Sequence, residues 1–105
     1  MSQSNRPNIL FIFPDQHRGD WMPYPDDVCE QLGMAPLNLQ LPNIEKLMNR
    51  GVTFHNCITP SPVCAPARAC LATGLKYSHS RCMNNGQNTP LDLPTFFQVL
   101  REGGY

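Results

Sequence analysis

Residue types suited to covalent chemistry concentrate in one stretch, Ser61-Pro62-Val63-Cys64-Ala65-Pro66-Ala67-Arg68-Ala69-Cys70-Leu71-Ala72-Thr73-Gly74. At its centre stands Cys64-x-Pro66-x-Arg68. It combines a potential nucleophile, a proline that fits a first helical turn because the amide it lacks would have no partner there, and a permanently charged cation one turn on. With proline at about 5% of residues and cysteine rarer, the pattern arises by chance on the order of once in ten thousand starting positions. The competing reading is a buried cysteine beside a helix start, with Arg68 as a surface cation. A second candidate is Asp15, a hard oxygen donor directly behind the apolar run 8–13. His17, His55 and His79 suggest a Cys–His pair, but no Asp or Asn orienter is identifiable, and each reads as a polar surface residue. Trp21 and Tyr24, among prolines, read as a packed loop rather than a pocket wall.

The elements that must carry these groups follow from pattern. Asn8-Ile9-Leu10-Phe11-Ile12-Phe13 is apolar without alternation, as in a strand buried on both faces of a parallel sheet. Pro14 ends it, which places Asp15 at a strand's carboxyl end, where open α/β sheets form ligand crevices. A long loop over 21–41 follows, with a helical turn around 27–32. A helix is expected over 43–50, with Ile44, Leu47 and Met48 on one face and Gly51 as its stop. A strand is expected over 52–58, a helix over 65–73 closed by Gly74, a polar loop over 77–89, and a helix over 94–102 burying Leu93, Phe97 and Leu100 and ended by Gly103-Gly104. Strands alternating with helices indicate an α/β class, and two strands alone make only the beginning of such a domain.

Composition removes whole classes of function. The 105 residues carry eight Lys and Arg against eight Asp and Glu, with no basic stripe, so phosphate-gripping nucleic-acid binding is not expected. The longest apolar run, Ile9 to Phe13, is too short to span a bilayer, and no membrane association is expected. Arg6 precedes that run, but Pro14 and Asp15 cut it short with no small-residue cleavage site, so a mature, cytoplasmic chain is expected. Five cysteines (Cys29, Cys57, Cys64, Cys70, Cys82) without a C-x-x-C pair argue against a disulfide framework and a zinc knuckle, and most read as small buried hydrophobes.

Cys64, Pro66, Arg68 and the closing Thr73-Gly74 resemble the signature of the sulfatase family, within the alkaline-phosphatase-like superfamily. Ala72 departs from the larger apolar residue usual there, which bears on packing more than on chemistry. The likeness runs over nearly the whole chain. Arg6-Pro7-Asn8-Ile9-Leu10 with its strand-end Asp is similar to the family's opening, and Leu41-Pro42-Asn43-Ile44 through Gly51-Val52-Thr53-Phe54 to its first helix and strand. Leu93-Pro94-Thr95-Phe96-Phe97 through Gly103-Gly104-Tyr105 resembles the helix before its second signature. The resemblance implies an alkaline-phosphatase-like sandwich with a mostly parallel central sheet flanked by helices, of which residues 1–105 form the N-terminal portion of the catalytic domain.

The resemblance also implies a sulfuric ester hydrolase in which Cys64 does not act as a thiol. A formylglycine-generating enzyme, the implied partner, oxidises such a cysteine to formylglycine, an aldehyde that hydrates to a geminal diol. One hydroxyl attacks sulfur, the substrate's ester S–O bond breaks and its alcohol leaves with a proton, and a covalent sulfate ester remains. The second hydroxyl then loses its proton, the C–O bond to sulfate breaks, and sulfate leaves as the aldehyde re-forms. A serine ester would lack that exit. Arg68 would hold the charged diol or its oxyanion. Asp15, Gln16 and the modified Cys64 would hold a divalent cation, calcium ahead of manganese, and the substrate would be a small anionic sulfate ester. Many family members carry two adjacent Asp residues where this chain has Asp15-Gln16, a pair similar to the choline-sulfatase-like and phosphonate monoester hydrolase branches. Asn85 stands where those branches bind the transferred group, with an ordinary loop residue as the alternative. Tyr105 would flank the substrate pocket by analogy, yet is expected to be disordered.

A phosphonate monoester or phosphodiester hydrolase with the same nucleophile is the alternative, because sulfuryl and phosphoryl centres share tetrahedral anionic geometry. A thiolate metal-binding module is a third reading, although Cys57-x6-Cys64-x5-Cys70-x11-Cys82 matches no common zinc spacing. The Gly-Lys-aromatic-His stretch that continues the family's second signature after Gly104-Tyr105 would supply the leaving-group acid. Residues 1–105 by themselves are therefore expected to be marginally folded and inactive. An aryl sulfate assay of this 105-residue chain should show turnover no faster than buffer, and clear turnover above buffer contradicts that expectation.

Overall fold

The computed structural model describes residues 6–105; residues 1–5 of the expected domain lie outside it. The chain forms two compact units, Met1–His55 and Asn56–Tyr105.

In the first unit α1 (Asp26–Leu32) and α2 (Pro42–Met48) are the helices. Asp26 and Asp27 put negative charge on the first turn of α1, where the helix dipole favours it. Gly33, at φ 64°, ends α1 in the left-handed region, and Met34 N–H returns to the Cys29 carbonyl at 2.9 Å. Cys29 is buried, its thiol 3.7 Å from the Tyr24 carbonyl. Pro42 opens α2 at the position that costs no amide partner.

Two expectations for α2 are corrected. Gly51 is not its left-handed stop: α2 ends at Asn49, still in helical conformation, and unwinds through turns linking Arg50 N–H to Leu47 and Gly51 N–H to Met48. Ile44 and Met48 are half-buried, whereas Leu47 lies in solvent, so the burying stripe is narrower than its spacing suggested.

Among the described residues no strand forms, so the strands expected over 8–13 and 52–58 are not confirmed. Side chains 9–13 are 46–85% exposed, and Val52, Phe54 and Ile58 are still more open on average. A strand satisfies its amides and carbonyls only through a neighbouring strand, and no strand ladder is formed among the described residues.

The second unit is helical: α3 (Cys64–Thr73), α4 (Tyr77–Ser80) and α5 (Phe96–Glu102), with α3 packed against both others. Its core is made of small residues, Ser61, Pro66, Ala69, Cys70, Ser80 and Cys82, which let backbones approach closely. The short helix α4 replaces the start of the loop expected over 77–89. α5 starts two residues later than expected, because Thr95 and Gln98 form a reciprocal capping box at its start. Phe97 is 57% exposed instead of buried, and Phe96 and Leu100 take the half-buried face. Tyr105, expected to be disordered, donates its amide to the Leu100 carbonyl at 3.0 Å across a left-handed Gly104.

The Thr73-Gly74 ending of α3 has a direct physical reading. Gly74 sits at φ 69° and its amide returns to Cys70, while the Thr73 hydroxyl donates to the Ala69 carbonyl and accepts from Leu75 N–H. A Cβ at residue 74 would meet no atom within 4 Å, so the constraint is backbone conformation rather than space. Gly74→Ala should therefore lower the unfolding free energy by about 1 kcal/mol; an unchanged urea midpoint would contradict the left-handed cap.

Candidate active site

The approach to Cys64 is held by its own side chains. Thr59 Oγ1 donates to the Ser61 carbonyl at 2.8 Å and accepts from Ser61 N–H, and buried Ser61 Oγ accepts from Val63 N–H at 3.2 Å. These are the local hydroxyl turns that Ser and Thr favour before a helix. Val63 is the N-cap, in extended conformation (φ −105°, ψ 137°), and has no side-chain acceptor to offer. Cys64 is the first residue of α3 and is exposed, so the expectation of burial for most cysteines holds for Cys29, Cys70 and Cys82 but not for Cys57 or Cys64. All five cysteines are free. Arg68, four residues on and also exposed, shares the helix face of Cys64.

Asn85 reaches this helix start from 20 residues away. Its Oδ1 accepts the Ala65 amide at 2.9 Å. The loop that carries it is closely bonded: Tyr77 Oη donates to the Met83 carbonyl, Met83 N–H donates to Gln87 Oε1, Gly86 N–H donates to Asn84 Oδ1, and the buried Cys82 thiol lies 3.4 Å from the Gln87 carbonyl. Arg81 pairs with Asp92 at 2.6 Å. That guanidinium holds the Asp92 carboxyl below its usual range, so the pair is ionised at neutral pH and is lost only as pH falls through the lowered value.

Asp15 and Gln16 lie in the first unit, whereas Cys64, Arg68 and Asn85 lie in the second. Asp15 and Gln16 are both exposed, and Gln16 has a left-handed backbone at φ 53°. Beyond them Arg18 pairs with Asp20 and stands 5.8 Å from the Trp21 ring centroid, and Trp21 itself is exposed rather than packed. His17, His55 and His79 are exposed, as expected of surface residues. Taken by themselves, the Asp15 carboxylate and the Gln16 amide oxygen are the kinds of donor that suit a hard cation such as calcium or manganese. For the thiolate module, no three His, Cys, Asp or Glu side chains gather into a metal-holding group among the described residues.

Sequence reasoning singled out Cys64, Arg68 and Asn85 but missed the supporting residues. Thr59 and Ser61 were findable as a hydroxyl pair leading into a helix, and Thr95-x-x-Gln98 as a capping box. Tyr77 and Gln87 carry no such signal, because their partners are carbonyls and amides chosen by the fold.

A family model described as Sulfatase matches residues 7–105. A choline-sulfatase of Rhizobium meliloti (strain 1021) is 36% identical over 102 residues, covering 97% of this chain and 18% of the relative. The multifunctional alkaline phosphatase superfamily protein PehA of Trinickia caryophylli is 39% identical over 87 residues, covering 83% and 16%. An N-acetylglucosamine-6-O-sulfatase of Bacteroides thetaiotaomicron is 31% identical over 105 residues, covering 98% and 17%. The chain thus spans less than a fifth of the length of these curated relatives. No solved structure matches it. Among the described residues no helix is long and apolar enough to cross a membrane.

Ser61 is the buried support closest in sequence to the candidate nucleophile. Ser61→Ala should cost about 1 kcal/mol through the lost Val63 bond and speed exchange of the Val63 amide; unchanged exchange there would show that the hydroxyl does not hold the turn.

Proposed function

The chain belongs to the sulfatase family, and from that premise we propose that the protein hydrolyses a sulfuric ester, with residue 64 as the nucleophile position after oxidation to formylglycine. The observation that carries this reading is Cys64-x-Pro66-x-Arg68 at the start of α3, with Cys64 exposed and Arg68 on the same helix face. Cys64 is exposed at this helix end, as access by a modifying enzyme requires. Arg68 orients the anionic group through planar, permanently charged donors, and the helix N-terminus adds favourable potential for negative charge. Asn85, with Oδ1 taken by Ala65, has its NH2 group left to donate to a sulfuryl oxygen. Asp15 and Gln16 would hold a divalent cation, calcium or manganese. When bound, that cation supplies Lewis-acid polarisation and charge neutralisation. The α/β sandwich is part of the same proposal, with runs 8–13 and 52–58 as strands of its sheet.

Phosphonate monoester or phosphodiester hydrolysis is the second reading, favoured by the 39% identity to a relative described as multifunctional and of the alkaline phosphatase superfamily. Relative turnover of an aryl sulfate and an aryl phosphonate separates the two.

Three measurements on the whole protein test the proposal. Peptide mapping should find the segment with residue 64 lighter than its sequence by about 18 Da; an intact thiol together with full activity would falsify the nucleophile assignment. Cys64→Ala should reduce kcat/KM by roughly a thousandfold or more, and Arg68→Lys by roughly ten- to a hundredfold because a point charge replaces a planar fork. Chelation should abolish turnover and added calcium or manganese restore it, whereas activity that survives exhaustive chelation removes the cation from the scheme.

A further inference from the structure

The start of α3 carries more than its motif. Of its first three residues, Pro66 has no amide hydrogen, and Cys64 and Ala65 precede the first intrahelical bond, which runs from Ala67 N–H to the Val63 carbonyl at 2.9 Å. The N-cap residue ordinarily supplies a side-chain acceptor to the second or third helical amide. Val63 cannot, and the Ala65 amide instead donates to Asn85 Oδ1, one residue beyond Cys64. An amide N–H only donates, so the side-chain atom facing it is the oxygen, and the orientation of the Asn85 amide group is thereby settled. The carrier loop is itself anchored to α4 through Tyr77 and to its own turn through Gln87 and Asn84.

From this bond we infer that Asn85 is a positioning residue: it caps α3 in place of Val63 and fixes residue 64 through the helix, beyond any contact of its own with the transferred group. The inference rests on the proposed reading of residue 64 as the nucleophile position. Without the bond the first turn of α3 frays, and the side chain at residue 64 samples orientations unsuited to attack, which lowers kcat rather than binding alone.

Wild type, Asn85→Ala, and Asn85→Ala combined with Val63→Ser are compared in the whole protein, by hydrogen exchange of the peptide carrying Ala65 and by steady-state hydrolysis of an aryl sulfate and an aryl phosphonate. Serine at position 63 sits on backbone already suited to a cap and offers Ala65 a local acceptor. Asn85→Ala should speed exchange at Ala65 roughly fivefold and lower kcat about tenfold. Val63→Ser should bring back both the protection and most of kcat, with KM still raised. Unchanged exchange in Asn85→Ala overturns the inference, and so does restored protection without recovery of kcat, which would leave Asn85 as an anion ligand only. Absence of wild-type turnover on both substrates overturns the hydrolase reading and the link to turnover with it; the exchange comparison distinguishes that result from failure of the bond itself.

Discussion

A helix that opens Val63-Cys64-Ala65-Pro66 has a specific shortage at its N-terminus: a cap residue without an acceptor, and a proline that withdraws one donor. The remaining demand falls on the Ala65 amide, and it is met from a distant loop by Asn85. Because Cys64 precedes Ala65, the bond that completes the helix also locates the residue to which the chemistry is assigned. Cys82 is buried, and Tyr77 Oη and Gln87 Oε1 both bond the backbone of Met83, which braces the loop whose Asn85 meets the helix.

The other end of α3 is governed by similar economy. Thr73 and Gly74 close it with a back-bonded hydroxyl and a left-handed glycine, without a tertiary partner. One end is therefore locally determined and the other is not. The core between them is built of Ala69, Cys70 and Pro66, residues too small to contribute much by area and suited instead to close packing. The apolar runs 8–13 and 52–58 contrast with it: they hold much of the chain's large hydrophobic surface yet lie exposed. Uncovered apolar side chains along such runs are what the faces of a covered sheet would bury.

Helix positions were legible wherever a local rule operated. Gly74 and the Gly103-Gly104 pair mark ends through backbone preferences that need no partner, and Gly33 and Pro42 do the same for α1 and α2 although the sequence reading made no use of them. Gly51 failed as a stop because α2 could unwind through successive turns without a left-handed residue, and Phe97 failed as a core residue because the face of α5 that packs is chosen by its neighbours. The capping box of Thr95 and Gln98 was legible and overlooked; the bonds of Tyr77 and Gln87 were not, since each joins a side chain to a backbone group that the pattern leaves unspecified.

Sequence by itself determined the family, the motif Cys64-x-Pro66-x-Arg68, the helix that bears it and the glycine that ends it, because each rests on residue identity or on interactions within one turn of chain. Tertiary structure alone decided what Asn85 does with its oxygen, which cysteines are buried, and that α3 is capped from outside its own neighbourhood. The physical reason is range. A backbone conformation is selected by the residue that adopts it, whereas a hydrogen bond across 20 residues exists only once packing has brought donor and acceptor together.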